Sequence, residues 1–157
     1  KIIKIKKNIK VSQDNSSAEL KPNKQFSIDF EIDFPSKVIS KQSCHLQLVN
    51  GNYKSDIASA RTFGFEKDVH MLRSNGLALG GSLENAVVVG EDKILNTEGL
   101  RFKDEFVRHK ILDSIGDLYL AGSPIQGYFY GNKSGHYLNN LLLKTLFSNK
   151  TNYEYIN

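Results

Sequence analysis

The stretch Phe26-Ser27-Ile28-Asp29-Phe30-Glu31-Ile32-Asp33-Phe34 alternates apolar and polar residues without a single lapse. Side chains in a strand point to opposite faces with a period of two. Phe26, Ile28, Phe30, Ile32 and Phe34 therefore share a dry face, and Ser27, Asp29, Glu31 and Asp33 a wet one. A sheet covered on one side only is the antiparallel kind, and Pro35 closes the strand.

Before this strand, Ile3, Ile5, Ile9 and Val11 alternate with lysines and polar residues, which predicts one strand with a basic solvent face. Gln13-Asp14-Asn15-Ser16-Ser17 reads as a turn. After Pro35, His45 to Val49 reads as a weaker strand. From Ser55 the pattern is helical through Ile57, Ala58 and Ala60. It breaks at Thr62-Phe63-Gly64-Phe65 and resumes over Glu66 to Arg73, with Asn75-Gly76 as a left-handed stop. Leu79 to Ser82 is a loop. Ala86 to Val89 and Lys93 to Leu95 are expected to form a hairpin around Gly90-Glu91-Asp92. A long helix follows from about Asp104 to Leu120, then a short strand at Tyr128 to Tyr130. A last helix is expected to start at Ser134 as N-cap and to bury Leu138, Leu141, Leu142, Thr145 and Leu146. The tail after Phe147 is polar and expected to fray. Strands first and helices later give an α+β class, a two-layer sandwich of a mainly antiparallel sheet packed on helices.

At 157 residues the chain is long enough for one domain with a true core. A hydrophobic share of 39% and a charged share of 24% fit a soluble globular protein. The net charge of +4 suits an anionic small molecule as well as nucleic acid and does not choose between them. The lysines of the first strand carry no interleaved aromatics, so nucleic acid is not the expected partner. One cysteine, Cys44, excludes an internal disulfide and fits a reducing compartment. No apolar run reaches the roughly 18–20 residues that a bilayer requires, and no secretory signal is visible. The chain opens on Lys1 rather than methionine, so it is expected to be a fragment of something longer.

Chemistry concentrates in the long helix. His109 and Asp113 are four residues apart, Asp117 is one turn further on, and all three share a face beside the apolar Phe106, Ile111, Leu112, Ile115 and Leu118. An imidazole and a carboxylate at that spacing can close on one metal ion or simply hydrogen-bond to each other. Two ligands fall short of the three that catalytic zinc takes. His136 lies in the first turn of the last helix, where the helix dipole disfavours an imidazolium and a carboxylate such as Asp117 would restore it. It also reads as an ordinary first-turn polar residue. His70 reads as surface, and His45 and its neighbour Cys44 point to opposite faces. Gly80-Gly81-Ser82 lacks the lysine and spacing of a phosphate loop.

Longer runs are more specific than any pair. They are Ala60-Arg61-Thr62-Phe63-Gly64-Phe65, Gly76-Leu77-Ala78-Leu79-Gly80-Gly81-Ser82, Asn96 through Lys110 with Leu112-Asp113 and Gly116-Asp117-Leu118, and Lys133-Ser134-Gly135-His136 with Leu138-Asn139-Asn140. Together they closely resemble the C-terminal half of the UDP-3-O-acyl-N-acetylglucosamine deacetylase family, the zinc amidases of lipid A synthesis, from the first strand to about Phe147. The resemblance implies that residues 1–157 are the second of two similar α+β domains, with the N-terminal domain absent. It implies a β-α-β insertion at about 65–95 forming a passage for an acyl chain, lined by Phe65, Leu72 and Val88. It makes His109 and Asp113 two of three Zn2+ ligands, the third being a histidine of the missing domain beside the glutamate that acts as base. It gives Thr62 to the oxyanion, and His136, kept protonated by Asp117, to electrostatic stabilisation or proton donation. It gives Phe63 to the hexose, Lys110 and Lys133 to the sugar and diphosphate, and Asp33 and Phe34 to uracil. Ser16-Ser17 departs from the basic and aromatic residues often found there in the family, and Ala78 stands where some members have cysteine. The implied enzyme is cytoplasmic and works near the inner membrane without a transmembrane segment. The fragment alone is expected to be inactive. A non-catalytic module holding a sugar nucleotide or an acyl chain is the alternative.

Overall fold

The computed structural model describes residues 1–49 and 51–157. Ten strands and four helices run in the order β1 (Ile2–Ile5), β2 (Ile9–Gln13), β3 (Ser16–Lys21), β4 (Ser27–Asp33), β5 (Lys41–Gln47), α1 (Asn52–Asp56), β6 (Thr62–Phe65), α2 (Glu66–Ser74), β7 (Ala86–Val89), α3 (Glu105–Tyr119), β8 (Ile125–Gln126), β9 (Tyr128–Asn132), α4 (His136–Phe147) and β10 (Tyr153–Ile156) among the described residues. The main sheet has the order β2-β3-β9-β4-β5, and only the β9–β4 pairing is parallel. One face carries α3 over β4 and β5 and α4 over β2 and β3, with the two helices in mutual contact. This is the expected two-layer α+β sandwich.

The alternating stretch that set this expectation is β4, an interior strand of the sheet between β9 and β5. Ile28, Phe30 and Ile32 are buried beneath the helices together with Leu20, Phe129, Phe106, Ile111 and Leu142. Gly131, beside Phe30 in β9, is obligatory: a Cβ there would lie 2.4 Å from the Phe30 ring.

Several expectations fail, each through a partner distant in sequence. The lysine-rich opening is two strands in two sheets, because the alternation lapses at the exposed Lys7. β1 sits between β8 and β10 in a separate three-stranded sheet. The turn before β3 narrows to Asp14-Asn15, with Asp14 left-handed, and Ser16 already pairs with Gln13. The weak strand runs over Lys41–Gln47, because it is set by its register against β4 from Asp33↔Lys41 to Ser27↔Gln47. The helical reading from Ser55 resolves into the short α1 and a turn. Thr62–Phe65 is not a helix interruption but β6, which runs parallel to β7 across α2. β6-α2-β7 is thus the small β-α-β unit. Its second strand pairs with β6 instead of forming a hairpin with Lys93–Leu95. A single Val89↔Ile94 bridge, the Gly90 amide on the Lys93 carbonyl and the Leu95 amide on the Val88 carbonyl remain of that pairing. The tail is ordered too, since β10 pairs with β1 and Tyr153 packs edge-on against Phe147.

Helix α4 starts later than expected. Gly135 occupies the N-cap, and no side chain caps it. Lys133 is left-handed, and Ser134 turns inward to donate to Asn139 Oδ1 at 3.1 Å. The buried stripe is Leu138, Asn139, Leu142, Leu143 and Leu146, while Leu141 and Thr145 are half-buried. No helix among the described residues is long and apolar enough to cross a membrane.

Candidate active site

The polar face of α3 is built on its buried opposite side. Phe106, Val107, Ile111 and Leu118 are buried in the core, and Ser114 is buried against Asn139 of α4. That leaves His109, Asp113 and Asp117 at successive turns of one edge. His109 Nε2 lies 3.2 Å from Asp113 Oδ1. Its other nitrogen, Nδ1, is 3.0 Å from the Ala60 carbonyl and donates to it. Burial disfavours the His109 imidazolium, but the hydrogen bonds to Asp113 and Ala60 outweigh this and hold its pKa above the ordinary value. Burial likewise works against the Asp113 carboxylate. The His109 hydrogen bond and the charges of His109, Lys110 and His136 prevail and lower its pKa.

One turn on, His136 Nδ1 stands 2.9 Å from both oxygens of Asp117. Asn139 Nδ2 donates to Asp117 Oδ2 at 2.8 Å and approaches Ser114 Oγ at 3.3 Å. Ser134, Asn139 and Ser114 are all buried, so a satisfied polar network fixes the carboxylate from behind. The His136 side chain remains 69% exposed, against 14% for His109.

The other predicted residues surround these two pairs. Lys110, on the same helix, holds its ammonium 5.8 Å from the centroid of the Phe30 ring. Burial pushes its pKa down, and Asp113 and Asp117 offset part of the shift. Gly135 faces it, since a Cβ there would lie 3.9 Å from Lys110 Nζ. Phe63 packs edge-on between Phe106 and Phe34 at centroid distances of 5.0 and 5.7 Å, with the His109 ring at 6.4 Å. Thr62 opens β6 with an exposed side chain, two residues after the carbonyl that holds His109. Asp33 ends β4, and its Oδ2 is 3.6 Å from Lys133 Nζ. Phe34 follows it and touches Phe65 as well as Phe63.

A cavity of about 820 Å³ opens beyond these rings, lined among others by Phe34, Lys37, Phe65, Lys67 and His70. It reaches Phe65 but not Leu72 or Val88, which are half-buried elsewhere in the β-α-β unit. That unit is loosely covered. α2 has no buried residue, and Met71, Leu77, Leu79 and Leu83 are exposed.

The donor set, one imidazole nitrogen and one carboxylate oxygen converging from one helix, suits zinc. It is incomplete, because no group of three His, Cys, Asp or Glu side chains converges among the described residues. Sequence reasoning missed the supports of the site: Arg61, Glu105, Ser114 and Asn139. Arg61 and Glu105 form a buried ion pair, Nε to Oε2 at 2.8 Å. A charged residue inside an otherwise amphipathic pattern is the only local sign of such a pair, and its partner is 44 residues away.

Comparison with known proteins gives a consistent result. The chain is 51% identical to the UDP-3-O-acyl-N-acetylglucosamine deacetylase of Psychrobacter cryohalolentis, covering 99% of this chain and 49% of that protein. It is 50% identical to the enzyme of that name from Shewanella violacea, covering 52% of it, and 51% identical to that from Campylobacter jejuni, covering 53%. The chain therefore spans about half the length of these curated relatives. A family profile matches residues 1–148, and with a match of that extent the chain belongs to the UDP-3-O-acyl N-acetylglycosamine deacetylase (LpxC) family.

Proposed function

We propose that this chain is the second domain of a zinc-dependent deacetylase acting in lipid A biosynthesis. The proposed reaction removes the N-acetyl group of UDP-3-O-acyl-N-acetylglucosamine. Family membership and the relatives' printed names support the substrate and reaction. The observation that carries the catalytic reading is the 3.2 Å approach of His109 Nε2 to Asp113 Oδ1 on a helix edge. These two residues would hold Zn2+, with a third ligand and the general base supplied by the N-terminal domain. Zinc bound there supplies a Lewis acid for the amide carbonyl and an acidified water.

This chain's own residues account for the rest. Hydrolysis adds water across the amide C–N bond, so acetate leaves with the hydroxyl and the sugar amine takes a proton. His136, oriented by both Asp117 oxygens through Nδ1, presents Nε2 as the donor of that proton. The exposed Thr62 hydroxyl is free to donate to the developing oxyanion. Phe63 gives the hexose an apolar wall beside His109. Lys110 and Lys133 attract the diphosphate, and Asp33 and Phe34 meet the base. The acyl passage would run into the β-α-β unit from Phe65, which borders the cavity, toward Leu72 and Val88, which the cavity does not reach. The protein works in the cytoplasm beside the membrane that receives its product.

Acetate release provides the test. The 157-residue chain alone is expected to release none from the substrate with zinc present, and to regain turnover when mixed with the N-terminal half of a relative. Full turnover by the chain alone contradicts the proposed division of the site. UDP binding with no turnover under any mixture favours the binding-module alternative.

A further inference from the structure

The peptide unit joining Ala60 to Arg61 is gripped at both of its polar atoms by one helix. Its carbonyl accepts from His109 Nδ1 at 3.0 Å. Its amide, Arg61 N–H, donates to Glu105 Oε2 at 3.0 Å. Glu105 and His109 are four residues apart on α3 and stand one above the other. The Glu105 carboxylate is itself immobile. It is fully buried and takes Arg61 Nε at 2.8 Å and Arg61 Nη2 at 3.1 Å. The Arg101 amide adds a fourth donor at 2.6 Å. The Arg61 guanidinium continues to Glu98 Oε1 at 2.9 Å and the Gly99 carbonyl at 2.8 Å.

A buried ion pair is a poor source of net stability, because desolvation offsets the Coulombic gain. Its value here lies in geometry. We propose that Glu105 and Arg61 are positioning residues for His109. Acting through the Ala60–Arg61 peptide, they hold the imidazole in the tautomer with hydrogen on Nδ1. The Nε2 lone pair then faces the Asp113 side, where the divalent cation is proposed to bind. A carbonyl can only accept, so a fixed Ala60 oxygen demands hydrogen on Nδ1. The competing tautomer exists in the same site, since hydrogen on Nε2 would meet Asp113 Oδ1 at 3.2 Å. The gripped peptide decides between them. A carboxylate accepting from the amide end also polarises the carbonyl end in the same sense. The order is that of the carboxylate–histidine–metal triad with one peptide group interposed.

Only the final step, toward the cation, rests on the proposed metal reading. Nitrogen-15 NMR of the histidine-labelled chain in alkaline solution reads the tautomer directly. The wild-type chain is expected to carry the His109 proton on Nδ1. Glu105→Gln removes the charge at nearly constant size, and Arg61→Lys keeps the charge but loses the fork. Both are expected to move His109 toward the Nε2–H form while the His136 signals stay in place. Zn2+ affinity by calorimetry is expected to fall about 10–100-fold in both, as for outer-shell partners generally. An Nε2–H tautomer in the wild-type chain overturns the proposal without any variant. So does an unchanged Nδ1–H signal in a variant that folds, as judged by circular dichroism. If wild type and His109→Ala bind zinc equally, the metal reading fails, and the tautomer result still judges the relay.

Discussion

Two histidine–carboxylate pairs meet along one edge of α3, His109 with Asp113 within that helix and His136 of α4 with Asp117 one turn further on, and they differ in how they are held. His109 has both ring nitrogens committed, one to a backbone carbonyl and one toward Asp113, and is nearly covered. His136 spends one nitrogen on Asp117 and leaves the other in solvent at the start of α4. Under the proposed function the first pair lends a lone pair in a fixed direction, and the second presents its Nε2 to whatever docks beside it. The same two residue types thus diverge through what lies behind them: the loop peptide before β6 clamped by a buried ion pair in one case, and a buried Ser134-Asn139-Ser114 network in the other.

The largest effect should come from breaking the clamp behind His109. Arg61→Ala strips the buried Glu105 of its countercharge and leaves several buried acceptors unpaired. Loss of one partner of such a pair costs about 3–5 kcal/mol. Urea unfolding of the chain should show a midpoint falling accordingly. A loss under about 1 kcal/mol would mean that water reaches Glu105 in solution.

The support behind the second pair comes next. Asn139→Ala removes the donor to Asp117 and Ser114 and the acceptor of Ser134 at a buried position. A cost of about 1–3 kcal/mol is expected for the groups left unsatisfied. In the proposed full-length deacetylase kcat should fall with His136 present but unaimed, and KM should change little. A variant with wild-type stability and kcat would show that Asp117 is held by its helix alone.

How much of this was legible in the sequence follows from the range of each interaction. β4 is plain because Phe26 to Phe34 obey one local period, and α3 because its apolar residues repeat along one stripe. His109, Asp113 and Asp117 are legible as a stripe for the same reason. β6 is illegible because Thr62–Phe65 becomes a strand only through β7, 24 residues on in register. β10 depends on β1 at the other end of the chain. Ser134 looks like a cap from its position, yet the left-handed Lys133 turns it toward Asn139. The His109 clamp needs Ala60 and Arg61 brought to α3 from another element, which no local pattern announces.

The first pair also ties stability to pH. The folded His109 pKa is raised, so its contribution to stability is complete below the unfolded value of about 6.5 and is lost as pH rises through the folded value. The folded Asp113 pKa is lowered, so its contribution is present above the unfolded value of about 3.9 and is lost as pH falls through the folded value. In metal-free solution, Asp113→Asn should therefore cost most between about pH 4 and 6.5, on the order of 1 kcal/mol, and less on either side. A pH-independent cost would show that the two groups do not interact as ions.

The smallest effect is the sharpest test of the comparison. His136 is mostly exposed, and an exposed ion pair contributes between nothing and about 1 kcal/mol. Replacing it by alanine leaves Asp117 with Asn139 Nδ2 as partner, so no buried carboxylate is stranded. His136→Ala should thus shift the unfolding midpoint barely at all, by about 0.5 kcal/mol or less. It should leave Zn2+ affinity unchanged and still abolish most turnover in the proposed full-length deacetylase. A group whose removal spares fold and metal but stops the reaction must act on the substrate itself. Should zinc affinity fall with His136 instead, the second pair would be part of the metal centre, and the division of labour along α3 would have to be redrawn.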